Sequence, residues 1–186
     1  MEWLQTFDIG VLQWLRETLS TPFMDKLMVL ISTLGNAGAL WLFLGVLFLI
    51  MGIRRKNWRE MGILLLLCVG ASALVCNLIL KPCVNRIRPY DLLGYVDALL
   101  IPPLHDASFP SGHTAACFAA ATAVCAKNRA WGFAAYIFGA VMGFSRLYLG
   151  VHFPTDVLAG AAVGTAMAAL TVRLFRKHCG EDSLQK

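Results

Sequence analysis

Residues 61–80 read Met-Gly-Ile-Leu-Leu-Leu-Leu-Cys-Val-Gly-Ala-Ser-Ala-Leu-Val-Cys-Asn-Leu-Ile-Leu, a stretch without a charge, and the next residue is Lys81. A helix crossing the hydrocarbon core of a bilayer takes roughly 17 to 25 such residues. Four more uncharged runs share the pattern, at 27–53, 112–126, 130–145 and 157–172. With 58% hydrophobic residues, 15% charged and a mean hydropathy of +0.66 over 186 residues, the chain is more apolar than a soluble domain of its size. The fold class is therefore all-α, a polytopic transmembrane bundle of about six helices forming a single domain over 1–186. Several runs are short for a crossing, and helices whose polar ends sink into a polar cavity gain the missing residues.

Run 27–53 is too long for one untilted crossing at about 1.5 Å per residue. Gly35-Asn36-Ala37-Gly38 interrupts it, and glycines weaken a helix interior, so a half-helix followed by a full span is expected. Five crossings follow from the runs, and this segment supplies a possible sixth. Residues 1–21 place Trp3, Phe7, Val11, Trp14 and Leu15 along one helical face, an interfacial amphipathic helix or, equally, one packed on the bundle. Neither reading assigns it chemistry. Thr21-Pro22 ends it and starts the next. Gly139 with Gly143, and Gly160 with Gly164, set small residues four apart, the spacing of closely packed membrane helices.

The basic residues fix an orientation. Arg54, Arg55, Lys56 and Arg59 share one connection, Lys127 and Arg129 another, and Arg173, Arg176 and Lys177 lie near the end; by the positive-inside tendency all three are cytoplasmic. They alternate with the connections that hold 81–113 and 146–156, which therefore share the external face. The formal net charge of +5 is mostly this orientation signal, and no nucleic-acid partner is expected. Cysteines stand at 68, 76, 83, 117, 125 and 179. Only Cys83 falls in an external connection, so neither a disulfide framework nor a zinc site is expected, and most act as small packing groups. The first 26 residues lack a basic start, an apolar core and a small-residue cleavage site, so no removable signal peptide is expected.

Three polar clusters lie where apolar runs begin or end. His152 and Asp156 are four apart. A carboxylate at that spacing can accept from one ring nitrogen and leave the other unprotonated, as a nucleophilic histidine requires; the alternative is a helix-capping Asp beside an uninvolved His. Arg146 borders an apolar span, where an unpaired guanidinium is costly, so it meets either a phosphate or a structural partner such as Asp156 or Asp106. Pro110-Ser111-Gly112-His113 runs into the apolar stretch from Thr114 and reads as a helix start. Free N–H groups, the positive dipole end, the Ser111 hydroxyl and an unobstructed Gly112 would cradle an anion, or Ser111 is simply a cap. His113 sits at the rim, able to donate a proton. Lys81 and Arg88 flank Pro82 and precede Pro89, which keep the segment from continuing the helix. Both supply donors for phosphate oxygens, or Lys81 merely snorkels. Arg86 falls outside this spacing. The connection 81–110, with five prolines, is long enough for a functional loop.

The full set Lys-x6-Arg-Pro, Pro-Ser-Gly-His and Ser-Arg-x5-His-x3-Asp resembles the three-part signature of the type 2 phosphatidic acid phosphatase superfamily, without departure in residue or spacing from Lys81 to Asp156. The resemblance implies a membrane lipid phosphatase without metal or other cofactor. In it His152 attacks phosphorus to give a phosphohistidine, Asp156 orients His152, and His113 protonates the leaving group and then activates water. Lys81, Arg88, Ser111, Gly112 and Arg146 would hold the phosphate oxygens. Among family substrates undecaprenyl diphosphate is the first choice, because the chain is small, carries no appended domain and turns its site outward. Phosphatidylglycerophosphate or phosphatidic acid would need flipped substrate or the opposite orientation. A soluble phosphate ester is the other alternative, since acid phosphatases and vanadium haloperoxidases resemble the same signature. Trp41, Phe43, Phe109, Phe144 and Tyr148 are aromatic candidates for a lipid entrance.

Overall fold

The computed structural model describes residues 2–179, and the side chains of Glu2, Ala37 and Cys179 lie outside what it describes. The packing role expected of Cys179 is therefore beyond it. Helices are the regular structure of the described residues. Helix α1 covers Glu2–Leu19, α2 Pro22–Leu34, α3 Ala39–Met51 and α4 Lys56–Leu74. A π-helical turn, Val75–Leu80, joins α4 to the short α5, Lys81–Val84. Then come α6 Pro89–Leu93, α7 Gly112–Cys125, α8 Arg129–Tyr148 and α9 Pro154–Cys179.

The punctuation follows the sequence. Thr21 caps α2, its hydroxyl accepting from Met24 N at 3.2 Å, with Pro22 in the first turn. Gly35 to Gly38 break the 27–53 run into α2 and α3, inclined at 47° around a 3₁₀ turn at Asn36–Gly38. The expectation at Pro82 is corrected: the helix runs on through Lys81 and Pro82 to Val84 and stops at Asn85, where φ is +44°. Proline breaks an α-helix by lacking an N–H and by crowding the carbonyl four residues back. The wider π turn just before it changes that spacing, so Lys81 projects from a helix rather than from a loop.

α7 is the centre of the bundle, with α4, α8 and α9 around it. Its alanines at 115, 116, 119, 120, 121 and 123 are all buried, beside Leu64, Leu65 and Cys68 of α4, Met142 of α8 and Ala168 of α9. A helix apolar on every side belongs inside, and alanine lets its neighbours approach closely. The Gly160 and Gly164 pair meets this helix. A Cβ on Gly160 would stand 2.5 Å from the Ser111 carbonyl oxygen, and one on Gly164 closer still to that of Ala115. Large apolar side chains such as Phe43, Leu67, Leu78, Phe133 and Leu158 stay exposed around the outside, as a hydrocarbon-facing surface requires.

Among the described residues two helical runs are long and apolar enough to cross a membrane, Lys56–Leu93 and Pro154–His178; counting the bent α2–α3 pair as one span makes three. α7, at 14 residues, is short for a crossing because its polar start is sunk in the bundle. Length and composition thus qualify fewer segments than the five crossings expected from uncharged runs. The basic connections do gather at one end: Lys127 Nζ pairs with Glu60 Oε2 at 2.7 Å, and Arg176 Nη2 donates to the Ala126 carbonyl at 3.5 Å. α1 lies along α8 and α9. It buries Asp8, Leu12 and Leu15 and leaves Trp3, Phe7 and Trp14 exposed. Leu15 thus faces inward, apart from the aromatic stripe with which the sequence grouped it.

Candidate active site

The start of α7 and the start of α9 are joined directly: Ser111 N donates to the Asp156 carbonyl at 3.0 Å. The π turn and α5 bring Lys81 to the same place. The result is a cavity of ≈ 340 Å³ lined by Lys81, Arg88, Gly112, His113 and His152, with Asn77, Asp106, Leu104, Gly35, Gly38 and an apolar wall of Val69, Ala73 and Ala116. Five of the eight residues singled out in the sequence line it. Ser111, Arg146 and Asp156 are buried behind it.

Arg88 is 2% exposed and holds the frame together. Its Nε donates to the Asp106 carbonyl at 2.8 Å, Nη1 to the Val151 carbonyl at 2.7 Å and Nη2 to Asp106 Oδ1 at 2.6 Å. Nη1 also lies 3.4 Å from His152 Nε2. A guanidinium only donates, so this contact assigns the lone pair to Nε2 and the proton to Nδ1. Nδ1 faces Asp156 Oδ2 at 3.7 Å. That is an ion-pair separation, longer than the hydrogen bond of about 2.9 Å that full orientation by Asp156 requires, and Nδ1 has no hydrogen-bond partner among the described residues. Catalytic contacts of this kind tighten when substrate enters. His152 lies in the connection between α8 and α9, where burial, reinforced by Arg88 and Arg146 and opposed by Asp156, pushes its pKa down to about 4. The ring is neutral at neutral pH, the state a nucleophile needs.

His113 Nε2 lies 3.1 Å from the Asn36 amide oxygen in the break between α2 and α3. An amide oxygen only accepts, so the contact puts the proton on Nε2. Gly35 allows the approach, since a Cβ there would meet His113 Cδ2 at 3.0 Å. Gly112 is open toward the cavity: a Cβ would meet only Asn77 Oδ1 at 3.6 Å and Lys81 Nζ at 3.8 Å. Ser111 does cap the helix start by position, but its hydroxyl pairs with Thr114 Oγ1 at 3.0 Å rather than with a free N–H. Arg146 pairs with neither Asp156 nor Asp106. Nη1 contacts Ser32 Oγ of α2, and Nε and Nη2 have no partner among the described residues. Buried donors left open in this way suit an anion.

Several residues at the site were not legible in the sequence. Asp106 closes on Lys81 Nζ and Arg88 and occupies the cationic end of the cavity. Ser108 donates to Asp156 Oδ2 at 2.5 Å. Arg86, set aside on spacing, donates from Nη1 to Asp156 Oδ1 at 2.7 Å, and its Nη2 pairs with Asp8 at 2.7 Å. Asp8 overturns the reading of α1 as free of the site. A lone carboxylate on the polar side of an amphipathic helix gives no signal of its partner. The aromatic candidates for a lipid entrance do not line this cavity; Trp41 lines a separate apolar cleft of ≈ 670 Å³ between α3, α4 and α8. Among the described residues no three His, Cys, Asp or Glu side chains gather as metal ligands.

A helical bundle that gathers buried cations, a helix N-terminus and two histidines of opposite tautomer around one cavity defines a phosphate-handling membrane protein. Comparison with known proteins agrees: the PAP2 superfamily model matches residues 61–179, and the chain belongs to that family. Undecaprenyl-diphosphatase BcrC of Bacillus subtilis (strain 168) is 31% identical over 150 residues, 81% of this chain and 74% of that protein. Phosphatidylglycerophosphatase B of the same strain is 33% identical over 156 residues, 77% of this chain and 71% of that one. The crystal structure of the first transmembrane PAP2 type phosphatidylglycerolphosphate phosphatase from Bacillus subtilis superposes with a TM-score of 0.78 at 28% identity, covering 97% of this chain and 89% of that one. Aquifex aeolicus LpxE gives 0.73 at 27% identity, covering 90% and 95%. The chain is a phosphatase of this membrane family.

Proposed function

We propose that the chain hydrolyses a lipid phosphate on the external face of the membrane, with undecaprenyl diphosphate as substrate and a phosphohistidine at His152 as intermediate. The observation that carries this is the cavity itself. Lys81, Arg88, Gly112, His113 and His152 line it together with apolar Val69, Ala73 and Ala116, a match to a phosphate head on an apolar chain.

In the proposed reaction the His152 Nε2 lone pair attacks phosphorus. The bond to the leaving oxygen breaks, and His113, entering the step as the imidazolium, gives that oxygen the proton on Nε2 and becomes neutral. The neutralised His113 then takes a proton from water, whose oxygen attacks the phosphohistidine; the N–P bond breaks and His152 is restored. Lys81, Arg88, Arg146, Ser111 and the Gly112 amide stabilise the charge spread over the phosphoryl oxygens. Fixed cations do here what magnesium does in many phosphoryl transfers, so no metal enters the scheme.

The choice of undecaprenyl diphosphate is supported by BcrC at 31% identity. Phosphatidylglycerophosphate is a second reading, favoured by the 0.78 superposition on the phosphatidylglycerolphosphate phosphatase. The test is phosphate release by purified protein in EDTA from undecaprenyl diphosphate, phosphatidylglycerophosphate and phosphatidic acid, beside His152→Ala. Metal-free release lost in the variant, fastest on undecaprenyl diphosphate, is expected. Release from none of the three would move the assignment to a soluble phosphate ester.

A further inference from the structure

Asp8 is completely buried although it sits on the amphipathic N-terminal helix, outside the family match at 61–179. Its Oδ2 accepts from Arg86 Nη2 at 2.7 Å and from the Thr155 hydroxyl at 2.5 Å, and its Oδ1 accepts from Thr155 N at 3.1 Å. Arg86 in turn donates from Nη1 to Asp156 Oδ1 and to Thr155 Oγ1, both at 2.7 Å. The guanidinium lies over the Phe153 ring, 4.1 Å from its centre. These contacts of the Asp8 carboxylate thus run to the turn that carries His152 and Asp156, or to the arginine that holds that turn.

We infer that Asp8 and Arg86 are positioning residues for the reaction, a charge bridge between buried carboxylates through which the N-terminal helix sets the orientation and the charge of Asp156 behind His152. The inference rests on the reading of His152 as nucleophile. Two physical points carry it. First, Arg86 takes Oδ1 of Asp156, while Ser108 Oγ and Phe153 N take Oδ2. The carboxylate is therefore fixed with Oδ2 toward His152 Nδ1, 3.7 Å away, and has no freedom to turn elsewhere. Second, a carboxylate paired one-to-one with a guanidinium forms a neutral unit, which does little for a ring gaining positive charge. By sharing Arg86 between two carboxylates, Asp8 leaves the cluster one negative charge. That charge faces the imidazole as Nε2 bonds to phosphorus and opposes the field of Arg88 and Arg146 on its other side. Neither residue touches the cavity, so both act through Asp156.

The test uses full-length protein in detergent with undecaprenyl diphosphate and phosphatidic acid as probes, comparing wild type, Asp8→Asn, Arg86→Gln, Arg86→Lys, the Asp8→Asn/Arg86→Gln double variant and His152→Ala. Asp8→Asn is nearly isosteric and keeps an acceptor, so it changes charge before shape. Expected are losses in kcat of about 10- to 100-fold for Asp8→Asn and Arg86→Gln, the scale seen when an outer partner of a catalytic group is removed. KM and inhibition by inorganic phosphate should change by less than about threefold, since binding groups are untouched. Arg86→Lys should recover part of the loss, and the double variant should lose less than the two singles combined. Wild-type kcat in both singles overturns the inference. So does a loss that tracks lowered thermal stability without recovery in Arg86→Lys. Activity retained by His152→Ala would instead overturn the nucleophile reading beneath it.

Discussion

Asp106 Oδ1 accepts a hydrogen bond from Arg88 Nη2 at 2.6 Å while its other oxygen pairs with Lys81 Nζ, so a carboxylate of the chain itself stands between the two cations that the proposed reaction assigns to phosphate. Two buried cations beside an open cavity repel one another, and an internal anion relieves this. A substrate phosphate must displace Asp106 to reach both. Asp106→Asn is therefore expected to bind inorganic phosphate on the order of tenfold more tightly and to be less stable without it. Thermal unfolding over a phosphate series reads both effects, because ligand stabilises in proportion to the logarithm of its concentration over Kd.

The same ion pairs set a pH dependence. Burial pushes the Asp106 carboxyl up, but Lys81 and Arg88 outweigh it and hold the pKa at about 2. The folded value lies below the unfolded one, near 3.9, so the stabilisation is complete above about pH 4 and is lost as pH falls toward 2. The carboxylate is half-exposed and solvent screens the pairs, which keeps the effect modest. The difference in Tm between wild type and Asp106→Asn should be constant from about pH 8 to 5 and close below about pH 3. A difference that closes already near neutral pH would exclude Asp106 as its source.

Gly112→Ala separates stability from activity. Its Cβ would meet protein atoms only at 3.6 and 3.8 Å, ordinary contacts, and alanine favours the helix over glycine. The fold should be at least as stable. The added methyl stands beside Lys81 Nζ and the helix amide, where a phosphoryl oxygen belongs, so activity should fall about 100-fold, the cost of losing one such donor. Equal kcat/KM for variant and wild type would show that phosphate does not bind at this amide.

Asn36→Ala removes the side chain that meets His113 Nε2 at 3.1 Å. The expected loss in kcat is about tenfold, a fraction of the roughly 10²- to 10⁴-fold that a positioned general acid supplies. A substrate whose leaving group needs no proton should be hydrolysed at nearly the wild-type rate, and comparison of leaving groups of different acidity is the measurement that checks it.

Gly164→Ala tests packing alone. The new methyl would run into the Ala115 carbonyl where α9 crosses α7, and overpacking of this kind costs about 1–3 kcal/mol. A lowered midpoint in thermal unfolding is expected, with kcat/KM of the folded fraction little changed.

Most of the site was legible because its spacing is local. His152 and Asp156 lie four residues apart across the start of α9, Ser111 to His113 form one helix start, and residues this close in sequence stay close in space. The break at Gly35–Gly38 and the Gly160–Gly164 contact were legible for the same reason: glycine's backbone cost and small size act wherever it stands. The π turn at Val75–Leu80 was not, since no residue in it demands wider hydrogen bonding. Without that turn Pro82 reads as a helix end, and Lys81 as a loop residue.

The sequence by itself determined an apolar helical bundle, its basic end and the members of a candidate phosphate site at fixed local intervals, because hydropathy, charge and helical period are properties of short segments. Only the tertiary structure decided that Asp106 fills the cationic end, that Asn36 meets His113 and that Asp8 reaches Asp156 through Arg86. Asp8 and Arg86 are 78 residues apart, and Arg86 and Asp156 are 70. Contacts across such distances are set by which helix faces pack together, and buried charges then take whatever partners that packing brings within reach.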